Sequence, residues 1–69
     1  MFYFFSKGPD YIRCEIRAAD SGTWEIVVIE PRGRERVEHH TTSQAAHQRW
    51  EELQREFVGD GWFGPYGRE

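Results

Sequence analysis

The chain has 69 residues, which allows one domain at most. Of its 26 apolar residues 11 are aromatic, while Ile, Leu and Val together supply nine, so any core is built largely from rings. A domain this small buries only ~60% of the surface its unfolded chain exposes, which excludes a large cofactor cavity; the net charge of −3 argues against a nucleic-acid coat or a basic membrane-surface peptide.

Turn residues divide the chain. An aromatic start, Phe2 to Phe5, reads as a short first strand that ends at the turn cluster Gly8-Pro9-Asp10. Residues 11–19 then alternate, with Ile12, Cys14, Ile16 and Ala18 opposite Tyr11, Arg13, Glu15 and Arg17, the period of a half-buried strand. Asp20-Ser21-Gly22 forms a hairpin loop in which Gly22 supplies a positive φ. Residues 23–30 are rich in β-branched and aromatic side chains, and Pro31, lacking an amide donor, ends that strand. Residues 34–41 alternate again, Val37, His39 and Thr41 against Arg36, Glu38 and His40.

Beyond Thr41 the period changes. Thr41-Thr42-Ser43-Gln44 offers N-cap hydroxyls, with Thr41 and Gln44 at capping-box spacing, and Ala46, Trp50, Leu53 and Phe57 recur at i, i+4, i+7 and i+11, which predicts a helix near 43–58 with one apolar stripe. Gly59 is positioned to stop it as a left-handed cap. On the polar side Glu51 with Arg55, and Arg49 with Glu52, have the spacing of ion pairs. Residues 59–69 read as a glycine-rich aromatic tail containing Trp62, Phe63 and Tyr66. The expected fold is a single α+β domain of residues 1–69, an antiparallel sheet of three to four strands followed by one helix packed on one face.

One helix covers one side of such a sheet. If that side takes Phe2 and Phe4 with Ile12, Cys14, Ile16, Trp24, Ile26, Val28, Val37 and His39, the uncovered side shows Tyr3, Phe5, Tyr11, Arg13, Arg17, Val27, Ile29 and Arg36, together with Glu15, Glu25, Glu38 and His40. A solvated antiparallel face is normally polar throughout, yet Tyr3, Phe5, Val27 and Ile29 are large and apolar. A contiguous apolar patch marks an interaction site, and self-association ranks first because a small core gains most from it. The tail rings Trp62, Phe63 and Tyr66 would either dock on their own domain, the favoured reading, or enter a partner's groove.

Catalytic and metal chemistry find few members. His39 and His40, adjacent in a strand, point to opposite faces. His40 and His47 with Glu38 form a weaker combination than any established metal motif, so no metal or other cofactor is expected. Cys14, flanked at alternate positions by Ile12 and Ile16, reads as a small core residue and not as a nucleophile. With no nucleophile–base–orienter set and no phosphate loop, a non-enzymatic role is expected. Glu15, Glu25 and Glu38 are read as cross-strand partners of Arg13, Arg17 and Arg36.

Four strands followed by a helix is also the element order of the whirly-type single-stranded-DNA-binding domains, and integrase arms read DNA with three-stranded sheets. Tyr3, Phe5, Tyr11, Arg13, Arg17 and Arg36 would then stack on bases and follow the backbone. Against this, residues 11–40 hold five Arg and six acidic residues, and a nucleic-acid platform is expected to be basic.

Tyr3-Phe4-Phe5, Ile12-Arg13-Cys14-Glu15, Glu35-Arg36-Val37-Glu38 and the ending Asp60-Gly61-Trp62-Phe63-Gly64-Pro65-Tyr66-Gly67-Arg68 resemble segments of a group of short bacterial proteins of about 70 residues without an assigned activity. That resemblance carries over no functional residues and implies only a small free-standing cytoplasmic protein. The same location follows from one cysteine, from an apolar start too short for a signal peptide, and from the lack of a membrane-length apolar run. The expected role is an interaction or regulatory module that self-associates as a dimer or binds a protein partner, with a single-stranded nucleic-acid binder as the alternative.

Overall fold

A computed structural model describes residues 1–68; Glu69, the last residue of the tail, lies outside the described residues. The chain runs β1 (Phe2–Lys7), β2 (Asp10–Ala18), β3 (Trp24–Ile29), β4 (Glu35–His40), α1 (Ser43–Gly59) and β5 (Phe63–Arg68). All neighbouring strands pair antiparallel, in the spatial order β4-β3-β2-β1-β5. The sheet therefore has five strands and not three to four. The fifth is the aromatic tail, which returns after the helix to pair with β1 through Phe2–Arg68, Tyr3–Gly67, Phe4–Tyr66 and, across an irregularity, Ser6–Phe63.

Glycine makes that return possible. A Cβ on Gly67 would overlap the carbonyl oxygen of Phe2, and one on Gly64, which sits at φ +144°, would lie 2.8 Å from Phe5 Cδ2. Low strand propensity is thus overridden by a close backbone approach that only glycine permits.

The helix covers one face. Ala46, Trp50, Leu53 and Phe57 are its buried residues, the same four that the sequence spacing selects. They pack on Phe5, Ile12, Cys14, Ile16, Ile26 and Val28, with Tyr3, Trp24 and Trp62 partly buried at the margin. Rings dominate the contact: Tyr3 stacks on Trp50 at 4.9 Å between centroids, and Phe5 meets Phe57 edge-on at 5.0 Å and Trp50 at 6.0 Å.

The helix begins where expected, and its C-terminal cap is shifted from Gly59. Of the candidate N-cap hydroxyls Thr42 is the one used, in place of the Thr41–Gln44 capping box, and it accepts from the Ala45 amide at 3.0 Å. Gly59 is the last helical residue. The left-handed position falls on Gly61 (φ +94°), where Gly61 N donates to Val58 O and Trp62 N to Phe57 O, the two bonds of a Schellman motif. This motif turns Trp62 back onto the core, and Lys7 ties the turn by donating to Asp60 O at 2.8 Å.

Strand registers follow from the loops. The two residues Gly8-Pro9 connect Lys7 directly to its partner Asp10, so Phe5 faces Ile12 and Tyr3 faces Cys14. The turn at Pro31-Arg32-Gly33 pairs Val28 with Arg36 and Ile26 with Glu38. Cross-strand partners share a face. Tyr3 and Phe5 therefore lie on the helix side, with Phe5 fully buried, and Arg36, Glu38 and His40 lie on that side too. Their assignment to the uncovered face is corrected; Phe2, Phe4, Val37 and His39 take their place there.

Candidate interaction face

The face away from the helix is open and consists of three cross-strand rows. One runs Val37–Val27–Glu15–Phe2 and the next Glu35–Ile29–Arg13–Phe4–Tyr66; the third is His39–Glu25–Arg17. Tyr11 stands beyond Arg13 on β2, with its ring 6.1 Å from that of Phe4. Phe4 also meets Tyr66, at 5.3 Å. The aromatic group on β1, β2 and β5 stays in water: Phe2 is 66% exposed and Phe4 39%, with Tyr11 and Tyr66 also exposed.

The other half of the face is aliphatic. Val27 is only 5% exposed although no helix covers it, because Val37, Ile29 and the flanking charged side chains close around it. It is absent from the core cluster beneath the helix, so the sheet has a second, much smaller apolar nucleus on its open side. Between the two apolar halves runs a charged stripe on β2. Arg17 donates Nε to Glu25 and Nη1 to Glu15, both at 3.0 Å, and the Glu25 bond followed by the Glu15 bond pushes the Arg17 guanidinium pKa further up. His39 Nδ1 lies 3.3 Å from Glu25. Arg13 and Glu35, on either side of Ile29, form no ion pair among the described residues.

Of the residues expected on this face, Tyr11, Arg13, Arg17, Val27 and Ile29 are present; Tyr3, Phe5 and Arg36 are not. Among the tail rings, Trp62 is half-buried against the core with Lys7 Nζ 5.5 Å from its ring centroid, Tyr66 joins the open face and Phe63 is exposed opposite Ser6. The tail thus docks on its own domain at the sheet edge and leaves the face uncovered.

A shallow depression of about 210 Å³ sits between Phe2 and the Val27–Ile29 pair, over the β2 stripe. Ligand pockets usually span ~300–1,000 Å³, so this one suits a protruding side chain better than a cofactor.

The titratable side chains on the helix side are held there. Cys14 is buried under the helix, and burial pushes its thiol up to about 12 against the lowering effect of Arg36, which leaves no thiolate at neutral pH. Glu38 accepts from Arg49 Nε at 3.0 Å, across the gap between β4 and the helix, and His40 Nε2 lies 3.4 Å away. Partial burial raises the Glu38 carboxyl, but the Arg49 hydrogen bond and charge, helped by His40, outweigh it and hold the carboxyl below its usual range. Arg49 also pairs with Glu56 at 3.2 Å and Glu52 at 3.8 Å, whereas Glu51 with Arg55 is not among the ion pairs of the described residues. Arg36 pairs with Glu30 at 3.4 Å instead of Glu38. His47 Nδ1 bonds Ser43 O at 2.8 Å, and no cluster of three metal-ligating side chains occurs among the described residues. No helix there is long and apolar enough to cross a membrane.

No family model matches the chain, and neither a curated protein nor a solved structure does.

Proposed function

We propose that the chain is a non-enzymatic interaction module that self-associates and offers the open face of its sheet to a protein partner. The observation that carries this reading is the exposed ring group Phe2, Phe4, Tyr11 and Tyr66 on a face that neither the helix nor the tail covers. Folding does not require these rings to be exposed together, since the helix side already holds the core, and a contiguous apolar patch of this kind is characteristic of binding surfaces. The paired charges of Arg17, Glu15, Glu25 and His39 form a polar border on one side of it.

Sedimentation equilibrium of the full chain over a wide concentration range tests the self-association part. A mass that rises with concentration toward that of an oligomer supports it; a constant monomer mass removes it from the proposal.

The second reading is a single-stranded nucleic-acid platform, favoured by Arg13, which has no ion pair among the described residues and stands opposite Phe4 among rings that would stack on bases. Titration of labelled oligonucleotides at two salt concentrations separates it: nucleic-acid binding weakens steeply as salt rises. The net charge of −3 weighs against it.

A further inference from the structure

The two outer strands of the sheet differ in what they offer a further strand. β5 carries Pro65, which has no N–H, between Gly64 and Gly67, and its register with β1 is interrupted. β4 has no proline, glycine, lysine or irregularity in Glu35–His40. Its protection is charge alone, from Glu35, Arg36 and Glu38, which turns most strands away and admits one of complementary charge.

The β3–β4 turn settles which backbone groups β4 presents. Glu30 N donates to Arg34 O at 2.8 Å, and Glu30–Arg34 continues the register in which Ile29 faces Glu35. Hydrogen-bonded pairs alternate in an antiparallel ladder. Arg36, Glu38 and His40 therefore bond inward to Val28, Ile26 and Trp24, while the N–H and C=O groups of Glu35, Val37 and His39 point away from the sheet.

The side chains then select the occupant. We propose that β4 of a second copy pairs antiparallel with this edge, about a two-fold axis at Val37, so that two sheets join into one. In that register Val37 of each copy faces Val37 of the other, Arg36 of each faces Glu38 of the other, and Glu35 of each faces His39 of the other. Every outward backbone group finds a partner, giving about six new hydrogen bonds. Moving the axis by one residue sets Arg36 against Arg36 or Glu38 against Glu38, in the closely spaced, non-hydrogen-bonded positions where like charges repel most. The charge order Glu-Arg-Val-Glu-His is complementary to itself only about Val37.

Val37, 41% exposed beside the buried Val27, would be covered by its own copy. The open faces of the two subunits would then lie side by side as one longer surface. This inference rests on the self-association proposed above and names its interface.

Sedimentation equilibrium of the full chain and its variants tests it. Val37→Pro removes the outward N–H and the valine side chain but no hydrogen bond of the β3–β4 ladder, so the dissociation constant should rise roughly tenfold or more while the monomer keeps that ladder. His39→Glu sets a carboxylate against Glu35 of the other copy and should weaken association roughly three- to tenfold; adding Glu35→Arg should restore it. If Val37→Pro unfolds the chain, the charge exchange decides alone. Association that survives both Val37→Pro and His39→Glu but is lost with Phe4→Glu overturns the edge and keeps self-association through the open face. His39→Glu weakening that Glu35→Arg does not rescue overturns the register. A wild-type chain that is monomeric throughout overturns the self-association reading itself.

Discussion

Phe4 and Phe5 are neighbours on one strand and live in different surroundings. Phe5 is fully buried between Trp50 and Phe57, while Phe4 meets the exposed rings of Tyr11 and Tyr66 and keeps 39% of its surface in water. The two faces of the sheet thus divide the labour. The helix side concentrates the burial that holds a 69-residue chain together, and the open side carries rings whose contribution to folding is small. A small domain has little apolar surface to spare, and the contact surface proposed above rests on this exposed group of rings.

The contrast can be broken from the core side first. Trp50→Ala removes the ring that stacks on Tyr3 and meets Phe5, and is expected to cost ~3–5 kcal/mol, enough to unfold a marginal domain by circular dichroism at room temperature. A folded variant of near-normal stability would contradict the helix register. Gly67→Ala is the next largest. Its Cβ would overlap the Phe2 carbonyl, so β5 must shift off β1, with an expected cost of ~1–3 kcal/mol and faster amide exchange in 63–68.

Glu38 gives a smaller effect with a defined sign. Its carboxyl is held below the ordinary 4.5, so the Arg49 pair stabilises the fold above that pH and is lost as pH falls through the depressed value. Glu38→Gln should cost about 0.5–1 kcal/mol at neutral pH and flatten the loss of stability in acid, seen in urea titrations at several pH values. The smallest effect belongs to Phe2→Ser on the open face, expected within about 0.5 kcal/mol of wild type because Phe2 is 66% exposed.

The helix and β2 were readable because their patterns are unambiguous. Ala46, Trp50, Leu53 and Phe57 share one stripe, and Ile12, Cys14 and Ile16 alternate strictly with charged residues. β1 resists that treatment: Phe2, Tyr3, Phe4 and Phe5 are apolar on both sides, so a period of two cannot say which side is buried. The information lay in the two-residue loop Gly8-Pro9, which pairs Lys7 with Asp10 and thereby places Phe5 opposite Ile12. β4 has one apolar residue, Val37, whose natural assignment to the core is reversed by the register of the Pro31–Gly33 turn. There the helix side is a rim and not a core, so Arg36, Glu38 and His40 can occupy it, and Arg49 reaches down to Glu38. β5 was hidden by its composition. Gly64, Pro65 and Gly67 read as a turn, and only the crowding against Phe2 and Phe5 shows why a strand needs glycine there.

The division between faces is tested most directly by denaturant unfolding of Phe5→Ala and Phe4→Ala, measured side by side at a concentration where the chain is monomeric. The account predicts a loss of ~3–5 kcal/mol for Phe5→Ala and roughly 1 kcal/mol for Phe4→Ala, the latter from its two exposed ring contacts. Equal losses would mean that the open face is part of the core, and the proposed interaction surface would lose its basis.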